Sequence, residues 1–326
     1  MSDDLGAVGE LAALARILPR LGGAAALLGP GDDAALLAAP DGRVLLSTDV
    51  MVEGPDFRRA WSTPEDLGRK AVATNLADVA AMGGAPTGLL VALTAPADTP
   101  VTLLEGIADG MAAACSVLAP GIGVVGGDLT RSPVLTIAVT VAGDLQGRAP
   151  VTRAGARPGD VLGYAGDLGL AGAALRLLFA AGEQDPAAVA ALRRDRPGLL
   201  AAQLAPTPPI AAGPAAALAG ATAMLDVSDG LLRDGARIAR ASGVDLDLDA
   251  SAVEREADVV AAAAGCSAEE ALAAVLGGGE DHGLLATFSG ALPTGFRRLG
   301  RVLEGTGEVR LGGAVASDAG WDSFAG

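Results

Sequence analysis

Residues 134–143, VLTIAVTVAG, alternate between apolar and small polar positions, the period-two pattern of a half-buried strand. RVLLSTD at 43–49 predicts a second strand that runs out into polar residues. Between them, Thr63-Pro64-Glu65-Asp66 marks a helix start: a threonine cap, proline at the first helical position and acids in the first turn. That helix is expected to run to Met82 and stop at Gly83-Gly84. After Gly143 the turn-rich stretch DLQGRAPVTRAGARPGD breaks the pattern and predicts a domain boundary, dividing the chain into 1–147 and 148–326. The second half repeats the strand-then-helix theme. TAML predicts a short strand leading into Asp226, SDGLLRDGARIARASG a helix capped by Ser228 and ended by Gly243, and the Ala-rich stretch around 180–220 helices broken by prolines.

With 326 residues, 51% of them hydrophobic, the chain can bury a large core in two domains or one large one. The 39 acidic residues against 23 basic ones, a formal charge of -16, argue against a broad surface for DNA or RNA. Anionic ligands bridged by cations remain open. No basic flank with an apolar run stands at MSDDLGAVGE, and no run reaches the roughly 18 uninterrupted apolar residues of a membrane span, so a cytoplasmic protein is expected. Cys115 and Cys266 lie far apart in no metal-binding or CxxC spacing, and each reads as a buried free thiol. Lys70 is the sole lysine, so no GxxxxGK[ST] phosphate loop exists.

Candidate chemistry lies in a recurring placement of carboxylates. Asp33 in GPGDD, Asp49 in LSTDV, Asp128 in VGGDLT, and Asp226 and Asp229 in LDVSDG sit in short Gly/Ser/Thr-rich stretches at expected element ends. Asp78 differs, standing in a helical NLADVAAMG with Asn75 one turn before it on the same face. Alone, each aspartate reads as a solvated turn or cap; together, beside Ser47, Thr48, Thr130 and Ser228, they read as oxygen ligands for a hard cation such as Mg²⁺ that shares its shell with phosphates. Direct phosphate donors are offered by the helix start at Ser228-Asp229-Gly230, by Gly126-Gly127 and by Arg153, which reads equally as a surface residue. YAGDLGLAG at 164–172 reads as a glycine-rich nucleotide loop or as close helix packing. GGGEDHGLL adds Glu280 and Asp281, an exposed bend or part of a site, and His282, the one histidine, which reads as structural before it reads as a base. Trp321 anchors the tail or stacks on a flat ring.

GPGDDAALL, LLSTDVMVEG, GRKAVATNLADVAAMGGAP, VVGGDLT, TRAGARPGD, LDVSDGL and GGEDHGLL, in that order, resemble the thiamine-monophosphate kinase family, of the aminoimidazole ribonucleotide synthetase-like superfamily. The likeness runs from about residue 26 to GWDSF. It implies an α/β fold with mixed (α+β) sheets: an N-terminal Mg-ATP-binding domain over 1–147 whose strands build a homodimer interface, and a C-terminal α/β domain over 148–326 completing the active site. It implies ATP-dependent phosphorylation of thiamine monophosphate with several Mg²⁺ ions. By motif, Asp33, Ser47, Thr48, Asp49, Asp78, Asp128, Asp226 and Asp229 would hold metal; Gly127, Asp128, Arg153 and Ser228 would contact ATP; Asp56, Glu280 and Trp321 would contact the thiamine phosphate. In two places the chain departs from the family. VEGPDF stands where the family usually has VEGxHF, putting Asp56 at a histidine position, and His282 stands where the family commonly has Tyr.

The acceptor would be a phosphate monoester whose second pKa is about 6, so no strong base is needed and no catalytic side chain is assigned beyond metal and arginine assistance. Sister activities fit less well. Selenophosphate synthetases usually carry a reactive residue near the N-terminus, whereas no Cys precedes Cys115, and the hydrogenase-maturation relatives end in a Cys tail where this chain reads WDSFAG. A non-catalytic nucleotide or cation binder is the rival from another class.

Overall fold

The computed structural model describes residues 3–21, 26–27, 37–182, 185–316 and 320. The chain falls into two compact units, one of Met1–Val79 and Gly84–Arg148, the other of Ala80–Gly83 and Ala149–Gly326. The first contains α1 (Leu5–Val8), α2 (Glu10–Ile17), β1 (Leu45–Val52), α3 (Pro64–Ala81), β2 (Ala85–Ala95), α4 (Val101–Leu118), β3 (Val124–Arg131) and β4 (Thr136–Asp144). The expected start of α3 is present in full. Thr63 Oγ1 accepts the Asp66 N–H at 3.1 Å while the Asp66 carboxylate accepts the Thr63 N–H at 2.9 Å, a reciprocal cap that satisfies two helix-end donors.

The strands form one sheet in the order β1-β4-β2-β3, antiparallel except for the parallel β2–β3 pair, whose crossover is α4. β4 alternates strictly, with Ile137, Val139 and Val141 buried. These pack with Leu89, Leu76, Leu104 and Ile107 into the unit's core. The opposite face is open: Leu46, Val50 and Leu90 are exposed on it. α4 is long and apolar enough to cross a membrane by length and composition, yet half of it is buried within the protein, and its Glu105 and Asp109 pair with Arg20, Glu105 also with Arg16. It is built as a core helix. Its acids interrupt the run, which is why the sequence offers no unbroken apolar span.

The second unit contains β5 (Val161–Ala165), α5 (Leu170–Ala181), α6 (Pro186–Asp195), α7 (Pro197–Leu204), α8 (Ala212–Leu218), β6 (Ala221–Val227), α9 (Leu231–Ser242), β7 (Val244–Leu248), α10 (Ala250–Ala264), α11 (Ala268–Gly277), β8 (Gly283–Phe288), β9 (Arg297–Glu304), β10 (Val309–Leu311) and β11 (Ala314–Val315). Its mixed sheet runs β11-β10-β7-β9-β5-β8-β6. Leu162, Leu225, Leu246, Leu285, Leu299 and Val302 form the buried seam under α9, α10 and α11. Prolines at the starts of α6 and α7 supply the expected breaks. Cys115 is buried and Cys266 only half-buried, so the second thiol departs from expectation; both are free.

Candidate functional site

Ser47, Thr48 and Asp49 lie in the middle of β1, not at its end, and Gly127 and Asp128 lie within β3. This corrects the reading of element ends. β1 and β3 are the two edge strands of a sheet with one open face, so their polar runs mark exposure and not termination. Alternation then sorts the candidates by face. Ser47 and Asp49 share a face with buried Met51, toward α3, and the Ser47 hydroxyl donates to Asp78 Oδ2 at 2.5 Å. Thr48 points the other way, donating to the Val139 carbonyl at 3.0 Å and accepting from Thr140 at 3.0 Å. Asp128, flanked in sequence by Gly127 and buried Leu129, takes the open face opposite Ala92 and is exposed. It lines a cavity of about 840 Å³ with Leu46, Leu90, Ala92 and Thr140.

Three strand spacings separate β1 from β3, roughly 14 Å. Asp49 and Asp128 are therefore not brought into one cluster within the unit, and among the described residues no group of three or more His, Cys, Asp or Glu side chains is arranged to hold a metal ion. Asn75, which the sequence places one helical turn before Asp78, is buried in α3. It is 1% exposed, its Nδ2 donates to the Ala71 carbonyl at 2.9 Å, and among the described residues its Oδ1 has no hydrogen-bond partner. An orphaned amide oxygen one helical turn from Asp78, with the Ser47 hydroxyl on that carboxylate, is an all-oxygen donor set, which suits a hard cation such as Mg²⁺.

Gly127 has a packing reason to be glycine: a Cβ there would stand 1.9 Å from the Val91 carbonyl of β2. Asp56 is exposed and its carboxylate accepts the Val52 N–H at 2.7 Å, closing the turn after β1. Asp33 and Trp321 lie outside the described residues.

In the second unit the acids are enclosed. Asp226, next to last in β6, is 9% exposed and meets His282 Nδ1 at 3.2 Å. His282 is itself 7% exposed, which supports its structural reading. Ser228 is not the cap of α9. Gly230 occupies that position without a side-chain bond, and Asp234, fully buried, accepts the N–H groups of Ser228 at 3.0 Å and Asp229 at 2.8 Å. The donors that the sequence offered to a phosphate already serve a carboxylate. Arg237 then bridges Asp234 and Asp229 with one contact of 2.5 Å to each. Burial pushes the Asp234 carboxyl up to about 6, against the downward pull of the Asp229 N–H and of Arg237.

The loop 277–282 runs beside this one. Glu280 N donates to Ser228 O at 2.7 Å and His282 N to Val227 O at 2.8 Å. Glu280 and His282 both have positive φ, 67° and 52°, conformations that non-glycine residues hold only where the surroundings impose them. The Glu280 carboxylate takes a short hydrogen bond from Gln203 Nε2 in α7, and Gln203 Oε1 is buried without a partner among the described residues. Gln203 carried no sequence signal, because its role depends on packing across 77 residues of chain. Asp281 turns inward and caps α5, accepting Gly169 N at 2.6 Å and Ala171 N at 3.0 Å. The GDLG run is thus a helix start closed by a carboxylate, and the packing reading of it holds. Arg153 is exposed and, among the described residues, carries no ion pair.

The chain matches the family models described as AIR synthase related protein, N-terminal domain, over residues 31–145, and AIR synthase related protein, C-terminal domain, over 157–312. It is 46% identical over 325 residues to a thiamine-monophosphate kinase of Mycobacterium tuberculosis, covering 99% of this chain and 94% of that one. Among solved structures it resembles a thiamine-monophosphate kinase from Stenotrophomonas maltophilia K279a, with a TM-score of 0.78 and 33% identity over 93% of this chain and 97% of that one. It also resembles AaThiL complexed with AMPPCP and TMP, with a TM-score of 0.74 and 31% identity over 98% of both chains.

Proposed function

This chain belongs to the thiamine-monophosphate kinase family, and from that premise we propose that it transfers the γ-phosphoryl group of ATP to thiamine monophosphate, giving thiamine diphosphate. The observation that carries the reading is the full-length kinship at 46% identity. The resemblance to a structure holding AMPPCP and TMP supports the same pair of substrates. A phosphate monoester is largely dianionic at neutral pH, so the acceptor arrives already nucleophilic. The chain's task is to align two anions and offset their repulsion in a protein of formal charge -16.

Several Mg²⁺ ions would be held by Asp33, Ser47, Thr48, Asp49, Asp78, Asp128, Asp226 and Asp229, and when bound they neutralise phosphate charge. The orphaned Asn75 oxygen and the oxygen-only donors support that choice of metal. Gly127, Asp128, Arg153 and Ser228 would contact ATP. Arg153 brings a planar fork matched to phosphate oxygens. Ser228 would bind through its hydroxyl, since its N–H already serves Asp234. Glu280, steadied by Gln203, would face the cationic thiamine ring system, with Trp321 against a flat ring and Asp56 at the position where the family usually has histidine. Transfer is direct and in line, and no side chain acts as base or nucleophile.

A homodimer is part of the proposal. Leu46, Val50 and Leu90 make an apolar patch on the open sheet face that a second copy would cover. Light scattering should give twice the chain mass, and Leu46→Asp with Leu90→Asp should give the single chain. The free thiols fit the reducing cytoplasm in which such an enzyme would work. The function is tested by incubating the protein with Mg²⁺-ATP and thiamine monophosphate, with thiamine and no acceptor as controls, and separating products by chromatography. Thiamine diphosphate formed only from the monophosphate is the expected result. None formed by protein that binds Mg²⁺-ATP would overturn the reading.

A further inference from the structure

The segment Thr152–Ala156 is held at five of its backbone polar atoms, while the one long side chain it carries is exposed. Thr152 O accepts from Met224 N at 3.0 Å, and Thr152 Oγ1 donates to Ala154 O at 2.8 Å. The remaining bonds converge on a single hydroxyl, that of Ser242, the last residue of α9. Ser242 Oγ donates to the Arg153 carbonyl at 3.1 Å and accepts the N–H groups of Gly155 and Ala156, each at 3.1 Å. A serine hydroxyl has one proton to give and two lone pairs to fill, and all are used on this segment. The backbone between those contacts turns through Gly155, whose φ of 136° and whose Cβ position, 2.3 Å from the Thr222 carbonyl, admit no side chain. The Arg153 guanidinium, by contrast, is exposed and without an ion pair among the described residues. In a chain with 39 acids to 23 basic residues, an arginine left unpaired on a pinned backbone is available to an external anion.

We propose that Ser242 is a positioning residue, fixing the backbone from which Arg153 reaches the phosphates of the nucleotide; this rests on the reading of Arg153 as an ATP contact. Orientation of a charged clamp is worth far more than the bonds that orient it, since a misplacement of about 1 Å can cost on the order of 100-fold. The three bonds are partly exposed, so their loss leaves groups that water can reach, and the fold survives it.

The test is a coupling measurement on the whole protein, reading Mg²⁺-ATP affinity by calorimetry, which does not require turnover. Ser242→Ala is expected to weaken Mg²⁺-ATP binding ~10-fold, leave the affinity for thiamine monophosphate and the melting temperature nearly unchanged, and be rescued by Ser242→Thr. In an Arg153→Ala background the same substitution should have almost no further effect. Wild-type affinity in Ser242→Ala, or losses that simply add in the double variant, would overturn the proposal while leaving Arg153 as an ATP contact. Wild-type affinity in Arg153→Ala would overturn both.

Discussion

The two units carry their acids in opposite ways. In the N-terminal unit Asp128 and Asp49 stand exposed on edge strands of an open sheet. In the C-terminal unit Asp226, Asp234 and Asp281 are buried and each is already engaged, by His282, by Arg237 with two backbone N–H groups, and by the N-terminus of α5. The difference is one of task. An exposed carboxylate stays solvated and costs the fold little, whereas a buried one must be compensated by the protein before any ligand arrives. Asp229 lies between these cases. It belongs to the enclosed loop, and among the described residues its carboxylate is held by Arg237, a cation at the position proposed to share a metal ion.

The contrast is sharpened most by Asp128→Ala. Activity should fall at least about 100-fold while the melting temperature stays within error, because the side chain is exposed and contributes to charge placement alone. A drop in melting temperature would erase the distinction. Arg237→Ala should do the reverse, destabilising the C-terminal unit by about 3 kcal/mol at pH 8, since it strips the counter-charge from a fully buried Asp234. The loss should shrink toward pH 5, where Asp234, pushed up to about 6 even with Arg237 present, takes a proton. Denaturant titrations at both pH values measure it. Gly127→Ala should cost the N-terminal unit about 2 kcal/mol, because the new methyl meets the Val91 carbonyl and β3 must shift from β2.

The last effect is a slope. Burial holds the Asp281 carboxyl at about 7, well above its ordinary 3.8, although the N–H groups of Gly169 and Ala171 pull it down. A raised pKa means the folded chain binds this proton more tightly, so its contribution is whole below pH 3.8 and is lost as pH rises through about 7. Asp281→Asn removes that loss. Its melting temperature relative to wild type should climb between pH 5 and pH 8, and a constant offset would contradict the assignment.

Local chemistry was readable in advance and convergence was not. The reciprocal cap at Thr63 and Asp66 and the alternation of β4 depend on neighbours within a few residues, and both stand as the sequence predicts. Ser228 was misread as a cap because the signal for a cap is local, while the donors in question go to Asp234 and the helix begins later at Gly230. The crowding of Gly127 by Val91 was invisible in advance, because a glycine carries no record of what packs against it. Gln203 and Ser242 had no motif at all. Each acquires its role from a loop that the fold brings to it, 77 residues away in the case of Gln203 and Glu280.

The central claim is that this chain aligns and neutralises two phosphate anions and takes neither covalently. A phosphoryl intermediate, if there were one, would sit on a side chain such as an aspartate, a serine or the one histidine, which is buried against Asp226. ATP made chiral at the γ-phosphorus with oxygen isotopes, used to phosphorylate thiamine monophosphate, decides between the two. Inversion of configuration in the thiamine diphosphate is the predicted result, and retention would contradict it.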